Sequence, residues 1–149
     1  MLIRTHLAIT LFFILIFISS VESKIVFAVV AFLATFIADV DSRHSTLGKR
    51  KIFRPLQFFV KHRTILHSFI FLLLITAFFA LFFPIIALGF FVGYGSHLLA
   101  DSFTVRGIRA FYPAKKIVHG GLKTGSKTEI IVLAFFVFID LFLLLYQIL

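Results

Sequence analysis

Five runs of apolar residues, 7–18, 25–38, 65–83, 85–100 and 130–146, fill most of this chain and leave few folds open to it. A bilayer core holds no water for exposed backbone N–H and C=O groups, so such runs must close their hydrogen bonds internally, as helices. A span needs roughly 20 apolar residues, so a chain of 149 residues has room for about five. Composition agrees: 61% hydrophobic residues, 23 of them Phe, and only 14% charged exceed what a soluble core of this size requires. The expected fold is an all-α integral membrane bundle of about five transmembrane helices, forming a single domain over 1–149. The chain has no Cys, which excludes disulfides and thiolate metal sites.

The first two runs are short as written, so they either recruit flanking residues or form a hairpin that dips without crossing. The third and fourth meet at Pro84, which fits a turn or the first residue of a helix. Ser126-Lys-Thr-Glu129 before the fifth run reads as a capping box. All of the 15 Lys and Arg except Arg4 and Lys24 fall in two loops, at about 39–63 and 102–128. Basic loops stay in the cytoplasm, which predicts an inside amino terminus and an outside carboxyl terminus in the cell membrane. The formal charge of +9 then calls for membrane lipids as partners rather than a specific nucleic acid. An alternative for 1–20, a cleaved secretory signal, would remove His6.

On this topology His6, Asp39, Asp41, His62, His67, His97 and Asp101 lie at one level, at the cytoplasmic ends of the first four runs. An ionisable side chain at a bilayer is costly unless paired, so seven at one depth point to a shared divalent ion. His97 and Asp101 are i and i+4, on one helical face. The same face carries Gly93 and Gly89, and Ala31, Thr35 and Asp39 make a matching ridge of small residues, so the second and fourth runs are expected to pack closely. Imidazole with carboxylate suits zinc, or manganese or iron, and seven ligands allow one ion or two. Asp140, near mid-bilayer, is expected to hydrogen-bond a neighbouring helix through Thr76 or Tyr94.

A metal with open positions acidifies water and polarises phosphoryl oxygens, which is hydrolytic chemistry. On that reading Asp41 is a candidate proton acceptor and Arg63 a catalytic cation. Arg43, Lys61 and Arg106 would bind an anionic phospholipid or other phosphoester. The alternative is a non-catalytic adaptor with a structural metal, whose basic loops recruit a protein partner or anionic lipid. A transporter fits less well, since few polar residues besides Asp140 lie deeper. Gly120-Gly-Leu-Lys-Thr-Gly125-Ser-Lys-Thr128 lacks both a preceding strand and the spacing of a nucleotide loop, and reads as a flexible linker.

Asp39-Val-Asp41-Ser, His62-Arg63-x-x-x-His67-Ser68 and Gly95-Ser-His97-Leu-Leu-Ala-Asp101-Ser-Phe-Thr104, with His6 upstream and Gly107 and Pro113 downstream, cover residues 6 to 113. In order and spacing they resemble the membrane-bound metal-dependent hydrolases described as LexA-binding and inner-membrane-associated. The resemblance implies a helical membrane protein with a metal-dependent hydrolase site built from these His and Asp residues. Ala38, where the family often has Pro, and Thr64 and Leu66, where Gly and Thr are usual, depart from the pattern in loop positions rather than at ligands.

Overall fold

The computed structural model describes all residues except 43, 44, 46, 47 and 60–62. Its helices are α1 Ile3–Phe17, α2 Lys24–Ile37, a short α3 Arg54–Phe59, α4 Phe69–Phe82, α5 Pro84–Ser102 and α6 Lys127–Ile148. The five apolar runs thus become α1, α2, α4, α5 and α6. Three segments, Ile3–Ser20, Pro84–Ser102 and Lys127–Ile148, are long and apolar enough to cross a membrane. α2 and α4 have 14 residues each, about 21 Å at the helical rise and short of a hydrocarbon core.

Local chemistry sets the boundaries. Pro84 opens α5, where its missing N–H costs nothing. The third run begins its helix later than apolarity alone indicates: the Ser68 hydroxyl accepts from Phe71 N at 3.1 Å, so α4 starts at Phe69 and 63–68 form turns.

α5 is the central helix and packs against α1, α2 and α4, while α6 packs against α1. Close approach of α2 and α5 depends on Gly93 and Gly89. A Cβ at Gly93 would run into the Ala31 carbonyl, and one at Gly89 would stand 2.9 Å from the Phe27 carbonyl oxygen. Thr10 of α1 ties the three helices together, its hydroxyl 2.9 Å from that of Thr35 on α2 and 2.8 Å from that of Ser96 on α5. Apolar contacts join α2, α4 and α5 around Ala34, Leu72, Phe90, Tyr94 and Leu98.

Two expectations change here. The flexible linker expected over 120–128 begins inside a bridged loop: Ile108 and Val118 exchange backbone hydrogen bonds of 3.0 and 2.9 Å, Leu122 N donates to Phe103 O at 3.0 Å and Gly120 N to Thr104 O at 3.1 Å. This bridged loop folds over the C-terminal end of α5. Asp140 meets neither Thr76 nor Tyr94. The Tyr94 hydroxyl donates to Leu66 O at 2.8 Å, and Asp140 and Thr76 have no hydrogen-bond partner among the described residues. Asp140 faces α1 instead, beside Leu7, Ala8 and Leu11.

Candidate metal centre

The start of α1, the end of α2, the start of α4 and the end of α5 lie at one end of this antiparallel bundle, and each contributes polar side chains there. Asp39, His67, His97 and Asp101 each point one ligand atom into a common space, all within 4.8 Å of one another. His67 Nε2 is 3.5 Å from Asp39 Oδ1, and His97 Nε2 is 3.6 Å from the same oxygen. Asp101 Oδ2 closes the group, 3.9 Å from His67 Nε2 and 4.0 Å from His97 Nε2. His67, His97 and Asp101 are buried, and Asp39 is the partly open member.

The donor set fits a divalent cation. Both ring nitrogens of His97 lack a hydrogen bond among the described residues, a costly arrangement at a fully buried position unless a cation is the intended partner. Two imidazoles with two carboxylates suit zinc, manganese or iron. Burial opposes charge on Asp39, but His67 and His97 outweigh it and hold the carboxyl well below the usual carboxylate range. Burial likewise opposes protonation of His67, yet the Asp39 and Asp41 carboxylates push its pKa up to about 9. The carboxylates thus demand positive charge at this spot.

Sequence proximity hid a division of labour between the two aspartates after α2. Asp41 lies outside the four-ligand group, with its Oδ2 3.5 Å from His67 Nδ1, on the far side of the ring from Asp39. That is the place a carboxylate takes behind a metal-binding His. Asp41 does not line the chamber above the site.

His6 also stands outside the group. Its ring stacks on that of His97, with centroids 3.9 Å apart and planes 5° from parallel, and its Nε2 is 3.4 Å from Asp101 Oδ1. Asp101 therefore presents Oδ2 to the four-ligand space and Oδ1 to His6 and to the Met1 amine, the latter 2.7 Å away. His62, Arg43 and Lys61 lie outside the described residues.

Arg63 locks the site from the loop. Its φ of +64° is left-handed, strained for a side chain of this kind and held by contacts on every side. Its backbone N donates to Asp41 at 3.3 Å, Nη2 meets Asp101 Oδ2 at 3.0 Å, and Nη1 donates to Gly107 O at 3.0 Å and Thr104 Oγ1 at 3.4 Å. Gly107, itself at φ +59°, is where Gly is required: a Cβ there would strike the Val118 carbonyl. Thr104 and Gly107 carried the sequence resemblance without an assigned role, and here they hold the guanidinium.

Glu129 does more than close a capping box. The Ser126 hydroxyl accepts from Glu129 N at 3.4 Å, as expected. The carboxylate turns elsewhere: Oε1 accepts from Leu2 N at 2.6 Å and Thr5 Oγ1 at 3.1 Å, and Oε2 from Gly125 N at 2.6 Å. It caps the amino end of α1, one turn from His6. No spacing rule links residues 129 and 2, so this role was not readable in the sequence.

A chamber of about 860 Å³ opens over the four-ligand group, with Asp39, Asp101, Arg63 and Arg106 in its wall together with Lys123 and Thr124 of the supposed linker. Arg106 lines this chamber, and its side chain makes no ion pair among the described residues.

A family model described as YdjM inner membrane protein matches residues 1–148. The chain belongs to this inner-membrane family. The uncharacterised protein YvsG of Bacillus subtilis (strain 168) is 32% identical over 108 residues, which cover 68% of each chain. No solved structure matches. Family membership and the three candidate spans together make this an inner-membrane protein.

Proposed function

We propose that this protein is a metal-dependent hydrolase of phosphoesters, with its site at the cytoplasmic face of the inner membrane. The observation that carries the reading is the convergence of four donor atoms, three of them on buried residues, within 4.8 Å at the floor of an open, cation-lined chamber. Asp39, His67, His97 and Asp101 would hold a zinc, manganese or iron ion. Such an ion acidifies water and polarises a phosphoryl oxygen.

The chain's own groups supply the rest. Asp41 holds the His67 ring through Nδ1 and leaves Nε2 free of a proton for the ion. Asp39 lines the chamber as well as the ligand space, so of the four residues that would hold the ion it is the partly open one, beside which a substrate would enter. Arg63 reaches the chamber wall, where its positive charge would favour the phosphate of a substrate. Burial of the imidazoles and Asp101 keeps bulk water from competing with these contacts.

The test is to purify the protein in detergent, measure bound metal by elemental analysis, and follow cleavage of bis(p-nitrophenyl) phosphate before and after chelation. The expected result is stoichiometric metal, with activity lost on chelation and restored by adding the ion back. Protein without stoichiometric metal, or metal-loaded protein without phosphoesterase activity, would overturn the hydrolase reading. The second of these outcomes would leave a structural metal in a membrane adaptor.

A further inference from the structure

We infer that the chamber over the metal centre binds an anionic phospholipid by its phosphate, with Arg106 and Lys123 as the pair that selects negative headgroups. The inference rests on the hydrolase reading for its chemistry and names that site's substrate class. Its first support is the chamber's mixed wall. Arg63, Arg106 and Lys123 share it with Leu2, Ile3, Phe36, Val105 and Leu122. A soluble phosphate ester needs the cations and gains nothing from five apolar side chains. A lipid uses both.

The second support is the loop that carries the selecting residues. Beside Arg106, Val105 is 56% exposed and Phe103 61%, and Phe111 and Ile117 farther along are similarly open. Large apolar side chains alternating with Arg and Lys on an irregular loop match a segment lying in the headgroup layer, with its apolar parts toward the acyl chains and its cations at phosphate level. The site's mouth then opens where lipid phosphates already are.

The third is unspent charge. Among the described residues neither Arg106 nor Lys123 makes an ion pair, while Arg63 is committed to Asp101. Lys123 is placed there by the bridged loop: Leu122 N bonds Phe103 O, and Gly120 sits flat on the Phe103 backbone, where a Cβ would collide. The Gly-rich stretch that failed as a nucleotide loop thus delivers a lysine to a phosphate-sized opening by another route. A chamber of about 860 Å³ falls within the usual range for small-molecule sites and holds a glycerophosphate headgroup with room at its mouth for the chains.

Binding is tested apart from turnover. The detergent-solubilised protein is loaded with Mn²⁺, and ³¹P line broadening is recorded for micellar phosphatidylglycerol, micellar phosphatidylcholine and free glycerol 3-phosphate at equal phosphate concentration. Strong broadening of phosphatidylglycerol alone is expected. The double variant Arg106→Ala/Lys123→Ala should bind it about 30-fold more weakly, the weight of two cations at a lipid surface, with Mn²⁺ content unchanged. Lys115→Ala/Lys116→Ala, outside the chamber, should leave it as before. Equal broadening by glycerol 3-phosphate would identify a soluble ester and overturn the proposal. So would equal losses in the two double variants, which mean general surface attraction, or no broadening at all. Specific lipid binding without cleavage would overturn the hydrolase reading and leave this one standing.

Discussion

α5 and α6 are both candidate spans, yet 61% of α5's apolar window lies inside the bundle against 11% of α6's. The more apolar of the two is the more exposed, the reverse of a water-soluble protein. Hydrocarbon solvates Phe138 and Leu141 on α6 as well as a core would, so burial is reserved for groups that lipid cannot satisfy. α5 buries Gly93, Ser96, His97 and Asp101, residues that need a close neighbour, a hydrogen bond or an ion. A buried acid on each helix sharpens the contrast: Asp101 is surrounded by His6, Arg63 and the rest of the four-ligand group, while Asp140 of α6 has no hydrogen-bond partner among the described residues.

The largest effect should come from breaking α5's polar end. Asp101→Asn should weaken metal binding by more than about 100-fold, the upper end of what an outer-sphere partner costs, and abolish phosphoester cleavage. Metal titration followed by elemental analysis measures it. Asp41→Asn should fall inside that outer-sphere range, about 10–100-fold, because it releases the His67 ring without removing a donor. If the two variants were equally damaging, Asp41 would be a ligand after all.

Next in size is the packing of the small-residue ridge. Gly93→Ala drives a methyl group into the Ala31 carbonyl and should cost about 1–3 kcal/mol, read from denaturant-induced unfolding in detergent. Phe138→Ala on α6 removes far more volume, yet should change stability by less than about 0.5 kcal/mol. A large loss at Phe138 would show that α6 is covered by another chain rather than by lipid. The smallest effect belongs to the unpaired acid: Asp140→Leu should raise stability by about 1 kcal/mol by removing an unsatisfied buried polar group, with metal content unchanged.

Features governed by local rules were legible in the sequence. Hydropathy located the five apolar helices, Pro84 and Ser126 marked two starts, and the i, i+4 spacing of His97 and Asp101 put both on one face. Close packing of the second and fourth runs followed from their small-residue ridges, though not the register that sets Gly93 on Ala31. What escaped depended on contacts between distant segments. Nothing in Asp39-Val-Asp41 tells which carboxylate joins the four-donor group, because both sit just past a helix end where side-chain direction is set by the turn. The link of Glu129 to Leu2, the cradle of Thr104 and Gly107 around Arg63, and the arrival of Lys123 at the chamber all bring together residues with no periodic relation. Apolarity also extended the third run past Ser68, where a hydroxyl cap rather than hydrophobicity decides the helix start.

Glu129 carries a consequence for how the outermost helix is held. It holds Leu2 and Thr5 from across the chain, and Gln147 repeats the clasp at the opposite end by donating to Leu15 O at 2.7 Å. α1 is therefore fastened near both of its ends by groups on α6. His6 stands one turn from the Glu129 clasp and stacks on His97, so the packing of the most lipid-exposed helix reaches the edge of the four-donor group.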